Sequence, residues 1–164
     1  MQRFTGMLVL LISLVLSSVT RAEQMTTGDA PMATLLGFFD ALSVENYPHS
    51  NMQDWVTDDF LIFEMGQAFS WDDFAAFLAE ASYDTWVSTE WRLSEARVSL
   101  TEGAAHISYV NRGEFVYPDP DNPGQQLKES NMWLESVYLI NEEGQFRIKF
   151  LQSDNVSRVV ESLP

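Results

Sequence analysis

Two strands and the turn that joins them can be read directly in residues 132–152, MWLESVYLINEEGQFRIKFLQ. Met132–Ile140 and Gln145–Gln152 are rich in aromatic and β-branched residues, which favour strands. Between them, Asn141-Glu142-Glu143-Gly144 has the composition of a hairpin loop. Residues 154–164 are mostly polar, and the pattern predicts that they form a tail outside this hairpin.

Two more strands precede the hairpin. Apolar and polar residues alternate in Ala105–Tyr117 and, before the turn Thr101-Glu102-Gly103, in residues 89–100. The alternation in the earlier stretch slips by one residue, which predicts a β-bulge near Ser94-Glu95. Residues 118–124 are rich in Pro and Asp and predict a loop, because proline cannot donate to a sheet.

The first half of the chain has helical periodicity instead. From Pro31 to Leu42 apolar residues recur at intervals of three and four, which predicts an amphipathic helix. Residues 60–63 are apolar and predict a short strand. Ser70 and Asp73 have the spacing of a helix N-terminal cap, so residues 71–81 are expected to form a second helix. Helices followed by hairpin-connected strands indicate an α+β protein, with a bent sheet wrapped around an apolar interior.

The chain resembles the nuclear transport factor 2-like superfamily and, within it, the SnoaL-like exported domains. The resemblance covers about residues 31–154 and is carried by the stretches LGFFDAL (36–42), VTDDF (56–60), SWDDF (70–74), ISYVNRG (107–113), WLESVYL (133–139) and GQFRIKFL (144–151). It implies a cone-shaped roll, with the N-terminal helices packed in the concavity of a bent, mainly antiparallel sheet. Isomerases, cyclases, dehydratases and non-catalytic binding domains share this fold, so the fold does not fix the function.

The N-terminus has the pattern of a secretory signal peptide. Arg3 is followed by an apolar run over residues 7–16 and by small residues that end at Ala22. The run is too short to cross a bilayer as a helix. We expect cleavage after Ala22, which leaves residues 23–164 as one exported domain, periplasmic or secreted, with its core in 31–154. No membrane attachment is expected after cleavage; the alternative is an uncleaved N-terminal anchor.

The composition excludes several kinds of function. The 24 acidic residues against 9 basic ones give a formal charge of −15, which disfavours nucleic acid as a partner. The sequence has no cysteine, which excludes thiolate nucleophiles, zinc–thiolate sites and iron–sulfur clusters. No set of His, Asp and Glu has the spacing of metal ligands, and no phosphate-loop or dinucleotide motif occurs, so neither a metal nor a cofactor is expected.

Strand parity predicts which side chains line the interior, because alternate residues of a strand face opposite sides. In residues 105–117 the more apolar face carries Tyr109 and Asn111, and this face should point inward. The same reasoning turns one face of the last strand inward, namely the face with Phe146, Ile148, Phe150 and Gln152.

Residues 132–140 are apolar on both faces, so parity leaves their orientation open. The resemblance favours the face with Trp133 and Glu135 as the inner one, which places a carboxylate inside the cone. Leu134 and Tyr138 then lie on the outer face. An apolar outer patch is typical of an interface, and members of the superfamily commonly dimerise through this sheet. We therefore expect a homodimer.

These assignments define a candidate site around Glu135. A carboxylate surrounded by aromatic rings should have a raised pKa, and it could act as a general acid or base near neutral pH. Tyr109 and Asn111 could donate hydrogen bonds to a developing enolate oxygen. Glu64 or Tyr83 could lie at the rim. The residues expected to contact a ligand are Asn111, Trp133, Gln152, Phe146 and Phe150.

Three functions stay open. The first is an exported domain that binds a small apolar molecule inside the cone. The second is a cofactor-independent isomerase, cyclase or dehydratase with Glu135 as acid or base, although many relatives have a histidine at the position of Gln152, and glutamine cannot shuttle protons. Asn111, Arg112 or Tyr109 could instead hold Glu135 in a buried polar network without any substrate. The third function is a protein-interaction module that uses the outer face of the sheet.

Overall fold

The computed structural model describes residues 29–163. Its main elements are α1 (Asp29–Leu42), β1 (Val56–Glu64), β2 (Gln67–Ser70), α2 (Trp71–Glu80), β3 (Ser88–Leu100), β4 (Ala104–Pro118), β5 (Gln126–Glu142) and β6 (Gln145–Ser162). The expected signal peptide, residues 1–22, and its cleavage site after Ala22 lie outside the described residues. No helix within residues 29–163 is long and apolar enough to cross a membrane.

The strands form one six-stranded sheet in the order β2-β1-β6-β5-β4-β3. Neighbouring strands are antiparallel except β1 and β6, which are parallel. The sheet is curled, and both helices pack against it around one apolar core. The expected α+β architecture, with helices in the concavity of a bent and mainly antiparallel sheet, is therefore confirmed.

Both helices form where local sequence signals predicted them. In α1 the side chains of Leu35, Phe38 and Leu42 are buried against the sheet. In α2 the capping box is present: the Asp73 backbone N–H donates to Ser70 Oγ at 3.2 Å, and the Ser70 backbone N–H donates to Asp73 Oδ2 at 3.1 Å. These bonds satisfy N–H groups that the first turn of a helix leaves without partners.

The predicted bulge in β3 is confirmed. The pairing of β3 with β4 shifts between Ser94 and Arg97, and Glu95 has a φ of 56°. The parity of β4 is also as expected: Tyr109 and Asn111 are buried, whereas Arg112 is exposed. An inner face can therefore be read from alternation alone in a strand that has no irregularity of its own.

The expected polar tail is instead the second half of β6. The strand continues to Ser162 and pairs with the first half of β5, as far as Leu127↔Ser162. β5 correspondingly begins at Gln126 rather than at Met132. This end of the hairpin is largely exposed, so its residues show no apolar alternation, and composition gave no signal for a strand.

The expected inward orientation of Phe150 and Gln152 is wrong. Leu139 pairs with Ile148, but the preceding residue Tyr138 pairs with Phe150, so Lys149 is an extra residue in β6. One extra residue reverses the facing of everything beyond it. After this bulge the inner face consists of Leu151 and Ser153, while Phe150 and Gln152 face outward.

Candidate functional site

Glu135 lies in the middle of β5, inside the cone, and is only 8% exposed. Its pairing partners across the sheet are Tyr109 on β4 and Ser153 on β6. Asn111 Nδ2 donates to Glu135 Oε2 at 3.1 Å, and Ser153 Oγ donates to Glu135 Oε1 at 3.0 Å. The expected placement of Glu135, Tyr109 and Asn111 in one buried group is therefore what the structure shows.

Burial raises the pKa of Glu135 to about 7, because the ionised carboxylate loses its hydration. The neighbouring polar groups of Tyr109, Ser153 and Asn111 stabilise the ionised form and lower the pKa in part, whereas the negative charge of Glu64 raises it. A carboxyl group with this pKa exchanges protons easily near neutral pH, which is the property of a general acid or base.

Three polar atoms buried inside the cone have no hydrogen-bond partner among the described residues. They are the Tyr109 hydroxyl, Asn111 Oδ1 and Trp91 Nε1. Burial and the nearby Glu135 charge raise the pKa of Tyr109 well above its ordinary value, so its hydroxyl keeps its proton. Each unpaired buried atom costs about 1–3 kcal/mol. A polar group of a ligand, or a water molecule, would satisfy them.

Glu64 is the last residue of β1 and shares the inner face of that strand with Phe60 and Ile62. Its carboxyl group is partly buried, and burial raises its pKa. This carboxyl group forms no hydrogen bond or ion pair with any side chain or backbone group of residues 29–163. Glu64 therefore lies at the rim of the interior as a carboxyl group whose oxygen atoms are free to accept hydrogen bonds.

The open end of the cone forms a cleft of about 980 Å³. One wall is aromatic: the ring centroids of Trp86 and Phe115 are 5.5 Å apart, and those of Phe115 and Trp133 are 6.0 Å apart. The charged residues in the lining are Glu64, Glu80, Glu129 and Arg158. The cleft thus combines an extended apolar surface with a small number of charged groups, as small-molecule sites generally do.

The Glu129 carboxylate in this cleft is fully engaged. Arg158 donates to both of its oxygens at 2.8 Å, the Tyr117 hydroxyl donates to Oε2 at 2.8 Å, and Asn131 Nδ2 donates to Oε1 at 2.7 Å. Burial alone would raise the pKa of Glu129, but these donors, with Arg158 foremost, hold it below its ordinary value. The bidentate ion pair between Arg158 and Glu129 links the second half of β6 to β5, and both residues line one side of the cleft.

Apart from the buried group of Glu135, Tyr109 and Asn111, the expected site residues are divided among three places. Trp133 lies in the cleft wall. Phe146 is buried in the core beside α1, where its backbone carbonyl accepts a hydrogen bond from Thr34 Oγ1 at 3.0 Å. Phe150 and Gln152 lie on the outer face of the sheet. Because Gln152 does not face the interior, it takes no part in proton transfer at Glu135.

Some residues of the site were not found from the sequence. Strand parity does not predict Ser153 as an inner residue, because the bulge at Lys149 reverses the facing of the residues beyond it. The sequence does not predict Arg158 as a site residue, because residues 154–164 have the composition of a tail. Tyr83, expected at the rim, is buried in the core, where its hydroxyl donates to the Leu42 carbonyl. Within residues 29–163 no group of three or more His, Asp or Glu side chains could hold a metal ion.

A curled, mainly antiparallel sheet with helices against its concave side and polar groups enclosed in the resulting cone is the nuclear transport factor 2-like fold. No family model matches the sequence, and no curated protein matches it. Solved structures do match, and the resemblance stated from the sequence is confirmed at the level of the fold.

Three solved structures illustrate this similarity. A proposed scytalone dehydratase from Novosphingobium aromaticivorans is 12% identical, with a TM-score of 0.62 over 80% of this chain and 85% of that one. An NTF2-like protein of unknown function from Pseudomonas putida is 13% identical, with a TM-score of 0.58 over 77% and 84%. The association domain of CaMKII from C. elegans is 15% identical, with a TM-score of 0.55 over 75% and 91%. At these identities the comparison establishes the fold and not the activity.

Proposed function

We propose that this chain is an exported domain that binds a small, mainly apolar molecule in the cleft at the open end of the cone. The observation that carries this proposal is the aromatic wall formed by Trp86, Phe115 and Trp133 along a cleft of about 980 Å³. Cavities of about 300–1,000 Å³ with mostly apolar walls are typical of small-molecule sites. Binding would remove these rings from water, which is favourable by about 25 cal/mol per Å² of apolar surface.

Ligand binding is tested with an aromatic probe and with the protein purified from its own host. Native mass spectrometry of that material should detect a retained small molecule. In titration calorimetry the probe 1-naphthylmethanol should bind the wild type, and Trp86→Ala should weaken binding about tenfold. Phe63→Ala is the matched control, because Phe63 is an aromatic residue on the outer face. The absence of binding, or an equal loss in both variants, would contradict the proposal.

A second candidate is a cofactor-independent enzyme that moves a proton next to a carbonyl group. The observation in its favour is the buried Glu135, whose pKa is raised to about 7, beside the unpaired hydroxyl of Tyr109. Glu135 would exchange the proton with carbon, and Tyr109 would donate a hydrogen bond to the developing oxyanion. The structural similarity to a proposed dehydratase agrees with this chemistry.

Proton exchange distinguishes the enzyme from a pure binding domain. Incubation with 2-tetralone in D2O should lead to catalysed deuterium uptake next to the carbonyl group, detected by proton NMR. Glu135→Gln should lower the rate at least about a hundredfold. Glu102→Gln, at an exposed turn, should leave it unchanged. If the wild type shows no uptake above background, Glu135 does not act as a base on such ketones, and the binding function alone is retained.

Export and self-association belong to the same proposal. The signal-peptide pattern of residues 1–22 predicts that the mature protein begins at Glu23, which N-terminal sequencing of the exported material would test. On the outer face of the sheet, Leu134 is 51% exposed and Tyr138 is 42% exposed. We assign this face to a second copy of the chain, in agreement with the similarity to an association domain.

A further inference from the structure

Inside the cone the unpaired groups include the donor Trp91 Nε1 and several acceptors, and the acceptor that lines the cleft is Glu64. The Glu64 carboxyl group has no partner within residues 29–163. Asn111 Oδ1, on a side chain with no exposed surface, has none either. The Tyr109 hydroxyl, also buried and unpaired, can turn its hydrogen toward Glu135, which leaves its oxygen as a further acceptor. Asn111 and Tyr109 do not line the cleft, whereas Glu64 does, so a ligand bound in the cleft should bring a donor to the Glu64 carboxyl group.

The charge of the cleft favours a positively charged ligand. Its lining contains three glutamates and one arginine. Both oxygens of Glu129 are bound by Arg158, so this pair is internally neutral. In the part of the chain that the structure describes, Glu64 and the exposed Glu80 have no counter-ion. The formal charge of the whole chain, −15, adds a field that attracts cations and repels anions.

The aromatic wall suits a cation as well as a neutral apolar group. The faces of indole and benzene rings carry negative electrostatic potential and attract cations, most strongly in the case of Trp. Trp86 and Trp133 line the same cleft as Glu64. A positively charged group near the carboxyl would thus meet a salt-bridge partner, while the rest of the molecule would pack on the rings.

From these features we infer that the cleft selects a protonated primary amine carried on an aromatic body, with the ammonium group bound by Glu64 and the body against Trp86 and Trp133. An ammonium group supplies three donors and one positive charge, which matches the unpaired and acidic carboxyl group of Glu64 in the cleft lining. The inference rests on the proposed binding function and specifies the class of ligand that the cleft takes.

The test compares four probes that share one aromatic body: 1-naphthylmethylamine, its N,N,N-trimethyl derivative, 1-naphthylmethanol and 1-naphthoate. Calorimetry at pH 7 should show the primary amine binding at least about tenfold more tightly than the alcohol, and the carboxylate most weakly. The quaternary derivative, which has charge but no donors, should lie between the amine and the alcohol. Equal affinity of the amine and the alcohol would overturn the inference while leaving the binding function intact. Failure of all four probes would contradict both.

Variants locate the ammonium group. Glu64→Gln should abolish the preference for the amine over the alcohol but leave the affinity for the alcohol within about twofold. Glu64→Asp retains the charge and should retain most of the preference, which separates loss of charge from loss of folding. Glu102→Gln changes the net charge equally at a distant exposed turn and should change nothing. Loss of the preference in Glu80→Gln rather than in Glu64→Gln would overturn the assignment to Glu64.

Discussion

Glu64 and Glu135 face the same interior from strands that are not neighbours, and the negative charge of Glu64 raises the pKa of Glu135. β6 lies between their strands, β1 and β5. Burial already raises the pKa of each carboxyl, and their mutual repulsion further disfavours the state in which both are ionised. Glu135 therefore takes up a proton as the pH falls through about 7, and protein stability should depend on pH in a way that can be measured.

The Glu135→Gln substitution should change the pH dependence of stability. The pKa of Glu135 is about 7 in the folded protein, against an ordinary value of 4.5. The folded state therefore binds more protons between these values, and its stability falls as the pH rises through that window. The loss attributable to Glu135 is at most about 3 kcal/mol. Glu135→Gln cannot ionise, so its free energy of unfolding relative to the wild type should increase from pH 4.5 to pH 8.

Urea denaturation at pH 4.5, 6 and 8 measures this difference. The other titrating groups contribute to both proteins and cancel in the comparison. A difference in free energy of unfolding that stays constant across these three pH values would show that Glu135 titrates as an ordinary exposed carboxyl.

Ser153→Ala should raise the pKa of Glu135 further. The Ser153 hydroxyl donates to Glu135 Oε1 and stabilises the ionised carboxylate, so its removal favours the protonated form. Carbon-13 NMR of the glutamate carboxyl groups should follow the shift. Ser99→Ala, an exposed position on β3, serves as the control and should leave the titration unchanged. A lower pKa in Ser153→Ala would mean that the hydroxyl does not bond to the ionised group.

Gly113→Ala should destabilise the protein by about 1–3 kcal/mol. A Cβ at this position would lie 2.5 Å from the Phe115 ring and 2.9 Å from the Trp133 ring, so the aromatic wall of the cleft would have to move. Gly103→Ala is the matched control, because its Cβ would meet no atom within 4 Å. Thermal unfolding of the two variants compares them directly. Equal melting temperatures would show that the rings have room to yield.

Leu134→Lys should disrupt the self-association that we propose for the outer face of the sheet. A lysine at this position would place a charge on the outer face of β5, which we assign to a second copy of the chain. Val87→Lys is the control, because Val87 is also 51% exposed but directly precedes β3 and does not lie on β5. Sedimentation velocity reads the mass of each variant. A wild type that is monomeric at all concentrations would contradict self-association.

Much of the architecture was predictable because it depends on interactions between residues close in sequence. The capping box of Ser70 and Asp73, the periodicity of residues 31–42 and the phase slip near Glu95 all appear in the order of the amino acids. The inner face of β4 followed from simple alternation, and it correctly placed Tyr109 and Asn111 inside. The burial of Glu135, by contrast, could be predicted only from a resemblance to other proteins, because both faces of its strand are apolar.

The interior chemistry depended on how distant strands pair. The extra residue Lys149 is visible only in the register of β6 against β5, and it replaces Gln152 by Ser153 beside Glu135. Arg158 lies in a stretch whose composition resembles a tail, and it becomes part of the cleft because Glu129 holds it there. Local periodicity records how a segment alternates but not where a partner strand accommodates an extra residue, because that choice depends on backbone hydrogen bonds and packing formed only in the folded sheet.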